Sequence, residues 1–201
     1  ADKELSAQFV NVESEHSAAS VVLGAQATGV RTYTATSSQG LLLMAEVVFN
    51  IAGLRLPVVM TTANRAVSAP INIWNDQQDV MVVRDSGWVL LFAENVQEAI
   101  DLHMQAYKIG EDPRVMLPVM VNMDGFILTH GMEVVDMPSQ EETDKYLAPY
   151  QTTYKLDVDD PKTLGYLADP DYYIEIRYMV QKTHEELLTI IPEVASQFKK
   201  T

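Results

Sequence analysis

Four runs of β-branched and apolar residues, separated by stretches of helical character, constrain this chain more than any other feature. They are RTYTAT at residues 31–36, LPVVMTT at 56–62, WVLLF at 88–92 and VMLPVMVN at 115–122. They lack the strict apolar–polar alternation of a sheet with one wet face, so they read as strands buried on both sides. Between them lie residues 41–52, apolar on nearly every helical face, and residues 96–110, with Val96, Ala99, Ile100, Leu102, Ala106, Tyr107 and Ile109 at amphipathic spacing. Strand and helix alternate about four times. That pattern predicts an α/β domain: a mostly parallel sheet with helices on both faces. Pro118 is awkward for a central strand, since proline cannot donate to the ladder.

A fifth run opens the chain. Residues 9–12, FVNV, lead into Glu13, Ser14, Glu15 and His16, and then into a small-residue helix that runs to Gly29. Apolar run, polar turn and Ala/Gly-rich helix together read as a buried strand that delivers an acidic side chain to a helix start. Ligands of open α/β sheets bind at the carboxyl ends of strands, so a carboxylate there is a candidate for acid–base chemistry. The plainer reading is that Glu13 and Glu15 suit the positive end of a helix dipole. On the local pattern alone, both readings stand.

Composition narrows the function classes. Fourteen Lys and Arg against 28 Asp and Glu give a formal charge of −14, which argues against nucleic acid and anionic membrane as partners. No apolar run reaches membrane-spanning length and residues 1–4 do not begin a signal peptide, so a soluble cytoplasmic protein is expected. The absence of Cys excludes thiolate catalysis and Cys-held zinc or iron–sulfur clusters from this chain. From about residue 136 the chain becomes polar and turn-rich. It ends in a charged helix over about residues 171–199, bent or interrupted at Pro192. Residues 1–135 are therefore read as the domain. Residues 136–201 are read as a linker and helix arm leading away from it.

Read in order, the motifs are specific. EHSA at 15–18 leads to Gly24, Ala25 and Gly29, and TATSSQGL follows at 34–41. Then come Asn64-Arg65-Ala66, NDQQD at 75–79, RDSGW at 84–88 and Asp124-Gly125-Phe126. This series resembles the pyrimidine-binding domain of the 2-oxoacid:ferredoxin oxidoreductases, in particular the α subunit type that acts on pyruvate. The resemblance covers most of residues 9–135, and ADPDYY at 168–173 resembles the continuation in multisubunit members. It implies a thiamine diphosphate-binding fold, decarboxylation of a 2-oxoacid, transfer of two electrons through iron–sulfur clusters to ferredoxin, and transfer of the acyl group to coenzyme A.

By position, the resemblance assigns Glu15 to the glutamate that hydrogen-bonds N1′ of the aminopyrimidine. A proton shared there favours the imino tautomer that deprotonates the thiazolium carbon. A buried glutamate against an apolar wall suits proton sharing, because burial raises its pKa. Arg65 matches the arginine that grips the substrate carboxylate, which a planar guanidinium pairs with in bidentate fashion. The plainer reading of Arg65 is a structural salt bridge. Ser38, Gln39 and Gly40, a polar turn able to cap the next helix, are expected to line the pyrimidine pocket or an interface. Asn75, Asp76, Gln77 and Asp79 are expected to close over the site or contact another subunit. Glu13 is read as structural, His16 as at most a neighbour of the site, and no metal ligand is assigned.

Departures from the family pattern matter equally. The family's α subunit carries a longer N-terminal region with a Tyr-Pro-Ile-Thr-Pro-type segment and a second domain after the terminal helix. Neither is in this sequence, so the resemblance implies an N-terminally incomplete domain and an inactive isolated chain, with an exposed sheet edge and aggregation or dependence on partners. It places magnesium and diphosphate on a β-type partner subunit and [4Fe-4S] clusters on ferredoxin-like γ and δ-type partners. Two alternatives remain open: a relative acting on oxalate, 2-oxoglutarate or a branched-chain 2-oxoacid, and a non-catalytic assembly subunit.

Overall fold

The computed structural model describes residues 7–199; the reading of residues 1–4 lies outside them. Four strands, β1 (Tyr33–Thr36), β2 (Val59–Asn64), β3 (Val89–Phe92) and β4 (Val119–Asp124), form one parallel sheet in the order β1-β2-β4-β3. Helices cover both faces. The central strands β2 and β4 begin with continuous apolar runs because alternate residues serve different cores. Met60 and Met120 pack beneath α1 (Glu15–Ala27), α2 (Gln39–Leu43) and α3 (Ala45–Gly53) with Val22, Leu41 and Val48. Their neighbours Val59, Val119 and Val121 pack on the other face with Ala106 and Ile109 of α5 (Val96–Gly110). Each such fully buried aliphatic side chain contributes about 1.5–3 kcal/mol. Trp88, fully buried before β3, donates its indole N–H to the Val48 carbonyl at 2.8 Å and so ties β3 to α3.

Local sequence explains most of the helix bounds. The Ser14 side chain accepts from Ser17 N–H at the start of α1, and Asn95 accepts from Glu98 N–H at the start of α5. The run 41–52 is two helices joined at Met44, and its outward Leu43 and Phe49 are exposed. Pro118 sits just ahead of β4. It gives up no ladder donor there, and its carbonyl accepts from Val89 N–H at 3.0 Å. The short α4 (Gln78–Val82) and α6 (Ile127–His130) follow the carboxyl ends of β2 and β4.

Two expectations are corrected. Residues 9–12 form no strand; Phe9, Val10 and Val12 are exposed, and β1 is the sheet edge with no neighbour beyond it. A β-branched run becomes a strand only where a sheet offers it a partner and a buried face. The C-terminal helix α8 (Pro170–Phe198) also does not project away. Its stripe Val180, Thr183, Leu187, Ile190 and Val194 is buried, and the aliphatic members join the core beneath α5. The spacing of three and four residues is what seats one helix face on a domain. Pro192 is on the exposed side, where solvent replaces the missing N–H bond and the helix runs on. Another helix, α7 (Gln140–Tyr146), interrupts the polar stretch and buries Tyr146 against Phe198 at a ring distance of 5.2 Å.

Candidate functional site

The carboxyl ends of β1, β2 and β4 converge where α1 and α2 begin. Glu15 is the first residue of α1, and its side chain lies over Gly40 in the first turn of α2. A Cβ on Gly40 would stand 2.6 Å from Thr36 Oγ1, 2.9 Å from Glu15 Cγ and 3.1 Å from Glu15 Oε1. Only glycine lets the carboxylate lie flat on this floor. Glu15 itself is exposed, so the expected burial against an apolar wall is not met within this chain. Glu13 lies exposed ahead of the helix, and His16 is half-buried at its second position.

The turn before α2 differs from a capping turn. Ser38 adopts φ 47°, a left-handed conformation that costs a non-glycine residue about 1–3 kcal/mol. Its side chain does not cap α2; the hydroxyl is 2.7 Å from the Ala66 carbonyl and 2.7 Å from Gln39 Oε1. Ser37 donates its hydroxyl to the Ala63 carbonyl at 2.8 Å and accepts from Arg65 Nε at 2.8 Å. The turn after β1 is thereby stapled to the end of β2, with Arg65 at the seam.

The staple rests on a residue that the motif reading placed in a closing loop. Asp79, in the first turn of α4, is fully buried. One carboxylate oxygen accepts from Ser38 N–H at 3.0 Å and Arg65 N–H at 3.2 Å. The other accepts from the Asn64 amide at 3.0 Å and Val80 N–H at 2.8 Å. Asn64 also donates to Asn122 Oδ1 at 3.2 Å, which extends the network to β4. Asp79 thus holds the strained turn and the Arg65 backbone in one frame. Asp76, three residues earlier, only closes a local turn by accepting from Gln78 N–H at 2.7 Å. Asn75 forms an isolated antiparallel bridge with Arg65. No local signal separates Asp79 from Asp76 in the sequence.

Arg65 is half-buried, and among the described residues no carboxylate forms an ion pair with it. Its Nε is bound to Ser37 and its backbone N–H to Asp79, and the terminal guanidinium nitrogens bond to none of the described residues, so donors are to spare. Gly125 packs so closely behind it that a Cβ would meet the Asn64 carbonyl at 2.5 Å and Arg65 Cβ at 3.3 Å. Trp74 and Phe126, with ring centroids 5.2 Å apart, and His130 stacked on Phe126 at 4.7 Å form a partly exposed aromatic rim nearby. A surface hollow lined by Tyr166, Leu167, Tyr172 and Met179 belongs to the start of α8 and includes no strand end.

The residues present fit a planar heteroaromatic ring better than a metal. The glycine floor, the carboxylate laid over it and the enclosed, unpartnered Thr36 Oγ1 suit an aminopyrimidine. Among the described residues no group of three or more His, Cys, Asp or Glu is placed to hold a metal ion. Glu15, Ser38, Gln39, Gly40 and Arg65 are brought together along one seam; Asp79, expected to close over the site or contact another subunit, instead anchors it from within, and Thr36 had been given no role.

The family model for the thiamine diphosphate-binding part of pyruvate flavodoxin/ferredoxin oxidoreductases matches residues 1–196, and the chain belongs to this family. It is 53% identical over 200 residues to pyruvate synthase subunit PorA of Methanothermobacter thermautotrophicus, covering 100% of this chain and 52% of that protein. It is 54% identical over 201 residues to pyruvate synthase subunit PorA of Pyrococcus abyssi, covering 100% of this chain and 51% of that one. It is also 45% identical over 199 residues to ketoisovalerate oxidoreductase subunit VorA of Pyrococcus horikoshii, covering 98% of this chain and 50% of the relative. The chain thus spans about half the length of these relatives. A solved 2-oxoglutarate:ferredoxin oxidoreductase from Magnetococcus marinus, with 2-oxoglutarate, coenzyme A and succinyl-CoA bound, superposes with a TM-score of 0.66 at 19% identity. It covers 90% of this chain and 37% of that chain, a likeness of fold.

Proposed function

We propose that this member of the family supplies the pyrimidine side of a thiamine diphosphate site in a pyruvate:ferredoxin oxidoreductase. With partner chains it would convert pyruvate and coenzyme A to acetyl-CoA and CO2, two electrons passing to ferredoxin. The observation that supports it is the seam joining Glu15, over its glycine floor, to an Arg65 guanidinium free of ion pairing, in a chain over half identical to pyruvate synthase subunits. Bound thiamine diphosphate would supply the nucleophilic carbon that a 2-oxoacid needs in order to lose CO2. Glu15 would exchange a proton with the ring nitrogen N1′, Gly40 would leave the Glu15 side chain room to lie toward the ring, and Ser38 and Gln39 would line its border. Arg65 would bind the substrate carboxylate, oriented by Ser37 and by Asp79.

The exposure of Glu15 fits a shared site, since a carboxyl group poised for proton exchange needs a partner surface to desolvate it. A β-type subunit would bring diphosphate and Mg2+ contacts. Ferredoxin-like γ and δ-type chains would carry the [4Fe-4S] clusters that a chain without Cys cannot ligate. The strand ends of residues 31–135 would carry the cofactor-facing seam, with α7 and α8 packed on the same core as part of that domain. The setting proposed for this enzyme is the cytoplasm; no described helix is long and apolar enough to cross a membrane.

The test is pyruvate-dependent, coenzyme A-dependent reduction of a low-potential dye by the assembled enzyme. Glu15→Gln should abolish turnover without disturbing assembly. Arg65→Lys should raise KM for pyruvate by about ten- to a hundredfold, the loss of one bidentate pair. Wild-type rates in Glu15→Gln would end the assignment. The 45% identity to a ketoisovalerate oxidoreductase subunit keeps a branched-chain 2-oxoacid as the second reading, and a substrate panel in the same assay separates the two.

A further inference from the structure

Two hydroxyl groups at the site are enclosed without any hydrogen-bond partner: Thr36 Oγ1 and Thr62 Oγ1. They belong together. Thr36 and Thr62 are paired in register across β1 and β2, and Thr62 is paired in turn with Asn122 of β4. The three therefore share the sheet face that underlies α2. An enclosed hydroxyl left unpaired is costly, and Val, which fills the same volume, would serve a strand at least as well. What distinguishes Thr36 is its place. Its Oγ1 and Glu15 Oε1 flank Gly40, at 2.6 and 3.1 Å from the one point a Cβ would occupy.

We infer that Thr36 is a positioning residue for Glu15, its hydroxyl donating to the carboxylate once the assembled site shuts water away. This rests on the reading of Glu15 as proton partner of the aminopyrimidine. In the open chain, solvent serves the exposed carboxylate, and Thr36 is held in reserve. When a partner surface covers the site, the oxygen of Glu15 not engaged with the ring needs a donor. Thr36 is the unpaired hydroxyl beside it, whereas Ser37 and Ser38 are already committed to the carbonyls of Ala63 and Ala66. A donor fixed on a strand would hold one carboxyl rotamer and favour the ionised form, setting the pH at which Glu15 takes up its proton.

The experiment compares Thr36→Val and Thr36→Ser with wild type and Glu15→Gln in the assembled holoenzyme. Three readouts are used: kcat and KM for pyruvate, the pH profile of kcat, and the near-ultraviolet circular dichroism of the bound cofactor's imino form against pH. Thr36→Val should lower kcat about three- to tenfold with little change in KM, the effect of one hydrogen bond to a charged group. It should raise the carboxyl-linked pH midpoint, in activity and in the dichroism, by about half to one unit. Thr36→Ser should restore both. Thermal stability of Thr36→Val should equal or exceed wild type, because an unpaired hydroxyl has been removed. A Thr36→Val enzyme with unchanged kcat and midpoint, beside an inactive Glu15→Gln enzyme, overturns the inference alone; an active Glu15→Gln enzyme overturns the reading beneath it. If Thr36→Val does not assemble, Thr36→Ala decides: a lowered kcat with a raised midpoint supports the hydroxyl, and wild-type values count against it.

Discussion

Replacing Asp79 by Ala removes one carboxylate and strands several donors at once, so the consequence can be worked from the structure. Asp79 is fully buried and accepts four hydrogen bonds. Val80 N–H is a helix-start donor that water can reach in a loosened first turn. Ser38 N–H, Arg65 N–H and the Asn64 amide bridge separate elements and have no other acceptor for the same hydrogens. Leaving a buried donor unsatisfied costs about 1–3 kcal/mol, and partial relaxation with water entry reduces the sum, so the loss should be about 3–5 kcal/mol. Asp79→Asn should cost about 2–4 kcal/mol, because its amide nitrogen would face N–H groups where an acceptor is required. Denaturant unfolding of the full-length subunit, followed by fluorescence of the buried Trp88, measures both. The Ser38 conformation depends on this anchor, so the Asn variant should also lose pyruvate affinity in the assembled enzyme. An Asp79→Ala subunit within about 1 kcal/mol of wild type would refute the claim that this carboxylate holds the two strand ends together.

Two further outcomes are expected. Gly40→Ala would press a methyl group against Thr36 Oγ1 and the Glu15 side chain, so cofactor affinity should fall at least tenfold and the subunit should lose about 1–3 kcal/mol of stability; cofactor titration of the apoenzyme and denaturant unfolding measure the two. Burial pushes the Tyr107 and Tyr146 phenols upward from the ordinary value of 10.0. The unfolded chain therefore loses these protons first, and the stability present below pH 10 should decline as pH rises beyond it. Tyr146→Phe should soften that alkaline decline and raise stability at neutral pH by up to about 1 kcal/mol, since the Tyr146 hydroxyl is enclosed without a partner. Thermal melts at pH 8 to 11 follow both effects.

The α/β architecture was legible because burial on two faces leaves a direct mark on composition. Val59 and Met60 serve opposite cores, so a strand between two helical layers cannot alternate. The end of α3 at Gly53 and the extent of α5 were legible for the same local reasons. Strand order was not, since nothing in residues 89–92 states that β3 lies beyond β4. Residues 9–12 misled because strand propensity was read without asking for a partner strand. The short α7 was missed although Ser139 and Glu142 form a capping box, visible as Ser-x-x-Glu, in a stretch whose overall polarity suggested only turns. The buried stripe of α8 was present in the spacing of Val180, Leu187, Ile190 and Val194, but the charged residues between them dominated the reading.

The candidate site divides along a different line. The residues proposed to present a group outward, Glu15 and Arg65, were candidates through the motif resemblance, which carries roles over by position. The holding role of the residues behind them could not be read that way, because it lies in long-range geometry: Asp79 reaches Ser38 across 41 positions, and Ser37 reaches Arg65 across 28. The two kinds also differ in completeness. Asp79 is saturated with donors from its own chain, so the frame is self-sufficient and should be in place before any partner arrives. Among the described residues Glu15, Thr36 and the outer edge of Arg65 find no partner, each in the manner of its chemistry: an exposed acceptor, an enclosed hydroxyl and a cation with no ion pair. A frame with every bond made, carrying three groups with bonds to spare, is what a half-site should look like. On the proposed function, the partners would be a donor-bearing ring for Glu15 and an anionic substrate for Arg65, and their arrival would bring Thr36 into use.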